Sequence, residues 1–372
     1  MKKYYPTLIT IVSIISIISF NPSVSFASYH FANFQGRPPI HIYKSNLAAP
    51  SGLSPSIIKN IYNLPKTGGH GTIALIEAYD DANLEKDLGV FDTTFNLPAC
   101  TIANGCLEKH PTDTKTAQNS AWSMETTLDV EWAHAIAPTA KILIVEAKTP
   151  SGANLLKAID YAASRKDAVA ISMSWGGAEF SDETTLDTHF KSISNAIFFA
   201  SSGDNGAGAN WPAASPSVVS VGGTSLTLTA GGTLASETAW SGSGGGVSAY
   251  EAEPAFQKTF SIPKSNNMRA IPDVSYSADP KTGFAIYHST GTKGSWYVVG
   301  GTSAGAPQWA AIESLGLSVT SQKLYGDKSS SSSTSYFRDI TSGSNGNCTY
   351  YCDARKHYDY VTGLGSPLTI HF

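Results

Sequence analysis

Apolar residues fall along this chain in short unbroken runs, set between stretches where they recur every third or fourth position. The runs 72–78, 141–147, 168–175, 196–201 and 218–222 have strand length and lack an alternating polar face, which marks strands buried on both sides. Between them, 84–92, 123–136, 152–165 and 183–195 carry the helical period. Ser54 caps a further helix over 54–62 that closes before Pro65. Strands alternating with amphipathic helices predict a doubly wound α/β fold, with a mostly parallel sheet and helices on both faces. In such sheets ligands bind beyond the carboxyl ends of the strands.

After Gly222 the texture turns to glycine, serine and aromatics, as in Ser241-Gly242-Ser243-Gly244-Gly245-Gly246. Together with 172–178, this stretch is expected to form an edge for an extended peptide. The serine run 329–333 reads as a solvated loop. With no internal repeat and no long linker, 51–372 reads as a single catalytic domain. Residues 28–50 form a short polar leader containing Pro38, Pro39 and Pro50, without periodicity.

Composition narrows the setting. Of 372 residues 41% are hydrophobic and 15% charged, with net charge -4; the chain is too apolar to be disordered and has no basic cluster that would point to nucleic acid. Charged residues make up about a quarter of an ordinary soluble protein, and a chain meant for acid gains by having fewer carboxylates to protonate. Lys2 and Lys3 precede an uncharged run, 8–20, followed by the small residues Ser25 and Ala27. Residues 1–27 therefore read as a secretory signal, with an uncleaved anchor as the other reading. The expected product is secreted, free of the membrane after cleavage, and a monomer. Cys100 with Cys106 and Cys348 with Cys352 are spaced as two local disulfide loops; a zinc site on Cys348, Cys352 and His357 is the alternative.

The candidate chemistry starts at Gly300-Gly301-Thr302-Ser303-Ala304-Gly305. This string follows an apolar run, 296–299, and opens a helical segment, 308–317. A serine at a strand-to-helix turn has free N–H groups and a positive dipole end behind it, so a nucleophile fits there; a helix N-cap would use the same residue. His70-Gly71-Thr72 suggests a histidine base, yet no Asp or Glu occurs before Glu77, so an Asp, His, Ser order cannot be built. Glu125 and Asp129, four apart, share one helical face, with His134 on the opposite side. Two carboxylates buried against Ser303 would share a proton and supply a base in acid, where histidine is protonated. Asp204, in Ser202-Gly203-Asp204-Asn205-Gly206 after a buried strand, faces the same crevice; protonated, it could donate to an oxyanion, although Asx turns use such strings too.

In this order, Glu125, Asp129, Asp204 and Ser303 resemble the sedolisins, serine-carboxyl peptidases of subtilisin-like fold. Segments supporting the resemblance include Ile171-Ser172-Met173-Ser174-Trp175-Gly176, Arg269-Ala270-Ile271-Pro272-Asp273 and Thr362-Gly363-Leu364-Gly365-Ser366-Pro367. The resemblance implies Ser303 as nucleophile, Glu125 as general base and then acid, Asp129 as its orienting partner, and Asp204 as the oxyanion donor. In kumamolisin-like members Glu77 and Trp175 would extend the proton network. The implied activity is hydrolysis of polypeptides through an acyl-enzyme, fastest in acid.

The resemblance also implies one structural calcium ion, held by Asp339 and Asp359 with carbonyls of Ile340, Arg355 and His357. Here Arg355-Lys356-His357-Tyr358-Asp359 replaces the family's Gly-x-Gly-Trp-Asp, so residues with a Cβ must adopt glycine-like angles. Relatives carry a long folded propeptide, and the leader 28–50 is expected to serve as a short detachable pro-segment. Two other functions share the motifs: a subtilisin-type Asp/His/Ser protease using His70, and an inactive protease-fold binding domain.

Overall fold

The computed structural model describes Met1 and residues 30–114, 117–329 and 336–368. The signal segment, apart from Met1, and most of the serine run lie outside them.

After strand β1 (His41–Leu47) and helix α1 (Pro55–Ile61), the chain builds a central sheet. Its strands are β2 (Thr72–Ala78), β3 (Leu107–Pro111), β4 (Lys141–Ala147), β5 (Ala168–Met173), β6 (Ile197–Ser201), β7 (Val218–Leu228), β8 (Leu234–Ala239) and β9 (Val274–Ser277). They lie in the order β8-β7-β6-β5-β2-β4-β3, with β9 also on β7. Every pairing is parallel except β8 with β7. The longer helices beside it include α2 (Leu84–Phe95), α3 (Ser120–Ile136), α4 (Gly152–Ala163) and, later, α5 (Gly305–Ile312).

Successive side chains of a strand point to opposite faces, and β2 is buried along its whole length. Ile73 and Leu75 join the cluster holding Leu128 and Trp132 of α3 and Trp309 of α5. Ala74, Ile76 and Ala78 join the one holding Leu155 and Ile159 of α4. By the same alternation Glu77, near the carboxyl end of β2, points toward α3. That helix is capped by Asn119, whose side chain accepts from Ala121 N and Trp122 N, and every residue from Met124 to Ile136 is buried. It is therefore a central helix without a solvent face, not the amphipathic one its periodicity suggests.

Two expected helices differ. Over 183–195 only the 3-10 turn Glu183–His189 forms. Ser192 and Ser194 donate their hydroxyls to the Ala163 and Ala168 carbonyls, and such side-chain bonds compete with a helix. The helix expected over 308–317 starts earlier, at Gly305, and gives way after Ile312 to a wider turn containing Gly316 at φ 85°.

The leader, expected to be irregular, contains β1. This strand pairs antiparallel with β11 (Lys293–Gly300), which pairs in turn with β10 (Phe284–Thr290). Its side chains are almost all exposed, so it is held by main-chain bonds and leaves no hydrophobic pattern. Both cysteine pairs are disulfides, which removes the zinc alternative at Cys348 and Cys352.

Candidate active site

β11 ends at Gly300, Gly301 turns at φ 131°, and the 3-10 turn Thr302–Ala304 leads into α5. A Cβ on Gly301 would stand 1.9 Å from the Pro39 carbonyl oxygen and 2.6 Å from Asp204 Oδ2. The turn therefore needs glycine both for its backbone angle and for close approach. Ser303 is buried, and its Oγ donates to the Pro39 carbonyl at 2.9 Å.

Behind Ser303 stand the three carboxyls that β2 and α3 bring together. Glu125 and Asp129 lie one turn apart on α3, and Glu77 meets them from β2. All three are fully buried. Burial, then Asp129, pushes Glu125 well above the ordinary carboxylate range, while the neighbouring Ser303 hydroxyl pulls weakly the other way. Glu77 is driven up by burial and by both neighbours. Asp129 is pushed up to about 7 by burial, opposed by Ser174, Glu77 and Glu125. Acceptor-only oxygens packed together in this way must share protons.

Ser174, just beyond β5, completes the group. Its Oγ lies 2.6 Å from Asp129 Oδ2 and 3.2 Å from the Ser303 carbonyl oxygen, tying the Asp129 carboxyl to the Ser303 backbone. Ser174 lies in the motif Ile171-Ser172-Met173-Ser174-Trp175-Gly176, which by itself assigns it no role. Its place at the carboxyl end of a buried strand, where such sheets bind ligands, was the available signal.

Asp204 follows β6 and approaches from the other side. The Thr302 N–H and Oγ donate to Asp204 Oδ1 at 2.8 and 2.7 Å, and Thr302 Oγ accepts from Gly203 N. Asp204 Oδ2 lies 3.0 Å from His41 Nε2. Burial raises Asp204 above the usual carboxylate range despite the pull of His41, whose own imidazole is raised chiefly by its hydrogen bond to Asp204.

The leader thus runs through the cleft. Gly36 N donates to Pro150 O and Gly152 N to Phe34 O, while Arg37 and Gly176 exchange N–H to O=C bonds at 3.1 and 3.2 Å. Of the two expected peptide edges, only 172–178 meets this strand. The glycines of 241–246 pair instead with the loop carrying Asp204: Gly244 N donates to Gly203 O, and Gly208 and Gly245 exchange bonds.

Other candidates fall elsewhere. The His70 N–H donates to the Ser314 carbonyl ahead of β2, and β2 is seven residues long, which puts His70 about 20 Å along the strand from its carboxyl end. The subtilisin-type base is thereby excluded. His134 Nε2 contacts Pro98 O at 2.8 Å on the far side of α3. The Trp175 indole N–H donates to the Ile76 carbonyl, so Trp175 braces the strand beside Glu77 rather than meeting its carboxyl.

At the expected cation site, Asp339 Oδ2 accepts from His357 N at 2.9 Å and Asp359 Oδ2 from Arg355 N at 3.1 Å. His357 sits at φ 69°, the glycine-like angle expected there. The Arg355 guanidinium is drawn aside, 4.6 Å from the Tyr350 ring centroid and hydrogen-bonded to Asp353. Two carboxylates at one loop are hard oxygen donors of the kind calcium takes, but Asp359 Oδ1 already accepts from Val361 N and Thr362 N at 2.8 Å, so an ion would have to share it.

The Subtilase family model matches residues 101–328. Kumamolisin of Bacillus sp. (strain MN-32) is 31% identical over 88% of this chain and 64% of its own length, and sedolisin of Pseudomonas sp. (strain 101) is 27% identical over 85% and 60%. The chain therefore spans less than two thirds of the length of these curated relatives. A solved Pseudomonas sedolisin, complexed with two molecules of pseudo-iodotyrostatin, superposes with a TM-score of 0.73 at 26% identity, covering 86% of this chain and 96% of that one. A psychrophilic protease shares the fold alone, with a TM-score of 0.56 at 18% identity. With the family match spanning more than half of its length, and with these relatives beside it, the chain belongs to the subtilase family, on its sedolisin-like side.

Proposed function

We propose that this protein is an acid-acting serine-carboxyl peptidase that hydrolyses polypeptides through an acyl-enzyme on Ser303. The carrying observation is a serine hydroxyl meeting a peptide carbonyl at 2.9 Å in front of three buried carboxyls. In acid the three packed carboxyls share protons and one negative charge, so the base belongs to the group rather than to one carboxyl. Glu125 takes the Ser303 proton as its own proton passes to Asp129, so the pair acts as one base. The freed Oγ attacks the carbonyl carbon, and a protonated Asp204 donates to the developing oxyanion. Glu125 returns the proton to the departing amine, which leaves the acyl-enzyme. Water then repeats the sequence, with the acyl group as electrophile.

Residues 1–27 act as a signal for secretion and 28–50 as a short pro-segment. Calcium would be held by Asp339 and Asp359 with main-chain oxygens of Ile340, Arg355 and His357, and would neutralise the two carboxylates and pin the 355–359 loop. Chelation should then lower the melting temperature, with recovery on added calcium; an unchanged melt would remove the ion from this account.

Hydrolysis of an unfolded protein across about pH 2 to 8, with Glu125→Ala and Ser303→Ala alongside, tests the chemistry. An acid optimum lost in both variants is expected. Activity confined to neutral or alkaline pH and indifferent to Glu125→Ala would refute the carboxylate base.

A further inference from the structure

The two halves of the leader are held by different forces. Downstream of Pro39, β1 exposes its side chains, with Ile42 and Tyr43 at 53% and 50%, and relies on main-chain pairing. Upstream, Phe34 is 1% exposed. Its ring stands edge-on to Trp211 at 4.9 Å between centroids, with Phe180 at 5.7 Å and Trp175 at 6.4 Å.

We propose that this aromatic pocket is a distal substrate subsite, which takes an aromatic side chain five residues N-terminal to the residue whose carbonyl meets Ser303. The chain's own Phe34 fills it. The proposal rests on the cleft being a peptide-binding site as read above, and it adds to that reading which peptides bind.

Backbone pairing sets the register. Bonds from Phe34, Gly36 and Arg37 to 150–152 and Gly176 are available to any extended peptide, so they fix depth and direction without selecting a sequence. Selection falls to the side chains, and the steric limits at the site are uneven. A Cβ on Gly177 would stand 2.7 Å from Phe34 Cε2, so that glycine makes room for the ring. A Cβ on Gly36 would stand 2.6 Å from Leu155 Cδ1 and 3.2 Å from Trp175 Cε3, so the peptide position two after the aromatic must be small. Gln35, between them, is exposed and free to vary. The recognised pattern is aromatic, any residue, glycine, then three residues to the cut. Burying a phenyl ring in contact with other rings is worth about 10- to 100-fold in affinity.

The same anchor explains how a short leader holds its place. As part of the chain it competes with any incoming peptide at an effective concentration on the order of millimolar, so weakening the anchor should open the cleft.

The test is equilibrium binding of a fluorescent peptide of sequence 30–43 to full-length Ser303→Ala protein, in which no hydrolysis can occur. Adding Phe34→Ala to the protein should tighten peptide binding at least about tenfold, by loosening the internal competitor. Replacing the phenylalanine of the peptide with alanine should weaken binding about 10- to 100-fold. A Gly36→Val peptide should bind poorly and a Gln35→Val peptide normally. Affinities indifferent to Phe34 on both strands, or equal losses at positions 35 and 36, would overturn the subsite. Because binding is read without catalysis, a wild-type protein that hydrolyses nothing while showing this pattern would sink the peptidase reading and keep the subsite.

Discussion

Helix α3 carries buried polar groups on two sides, and they are treated oppositely. On one side Glu131 accepts the Tyr287 N–H at 3.1 Å, Thr127 bridges Asp81 and His288 at 3.2 and 3.0 Å, and His134 contacts a carbonyl at 2.8 Å. On the other side both oxygens of Glu77 and Glu125, and Oδ1 of Asp129, make no hydrogen bond of ordinary geometry, and their neighbours are one another with the Thr126 and Ser303 hydroxyls. Both sets lie in the same dry interior. Fixed donors make the first set structural, since a satisfied buried acid has little reason to move a proton. The second set can satisfy itself only by sharing protons, which suits it to deliver one. Burial of a carboxylate is therefore uninformative alone; what distinguishes the site is three fully buried carboxyls packed against one another and against a serine, with Asp129 alone held by a side-chain donor, Ser174.

The largest expected effect falls on the donor-poor side. Ser303→Ala should lower turnover by on the order of 10⁴ or more, and Glu125→Gln by about 10²–10⁴, with the double variant little worse than the first. Assays on an unfolded protein substrate in acid measure this, and additive losses would break the picture of one unit. On the donor-rich side, Glu131→Ala leaves the Tyr287 N–H unpaired and should lower stability by about 1–3 kcal/mol in urea unfolding without changing turnover. A catalytic loss as large as that of Glu125→Gln would erase the contrast between the two sides.

A third expectation concerns pH. Asp129, pushed up to about 7, binds its proton more tightly folded than unfolded, where the ordinary value is about 4. Stability is therefore present in acid and lost as pH rises from about 4 through about 7. Melting temperatures should fall across that window, and Asp129→Asn should flatten the slope. A slope unchanged in the variant would assign the loss to other acids. The smallest effect belongs to His41. It pulls Asp204 down against burial, so in Ser303→Ala protein that retains its leader, His41→Ala should move the Asp204 titration, followed by NMR, to higher pH by less than about one unit, its half-exposed side chain being partly screened. A shift toward acid would reverse the argument.

Much of this protein follows from local pattern. Unbroken apolar runs gave β2, β4 and β5 nearly to the residue, because burial on both faces leaves no other pattern open to a short strand. The turn around Ser303 was legible from small residues between a strand and a helix, and the order Glu125, Asp129, Asp204, Ser303 from residue type and spacing. What one element's periodicity cannot report is which neighbours close its second face. Hence α3 read as amphipathic when the sheet, α2, α5 and β10 bury it from Met124 onward, Trp175 read as a partner of Glu77 when its N–H reaches the Ile76 carbonyl, and 241–246 read as a peptide edge when it packs on the Asp204 loop. The leader is the extreme case. Its strand uses main-chain bonds that no side-chain pattern records, and Phe34 looks like any aromatic until Trp175, Phe180 and Trp211 surround it. Sequence fixes what each element can offer along its own axis; packing between elements distant in the chain decides which carboxyls lose water, which donors they meet, and what lies against Ser303.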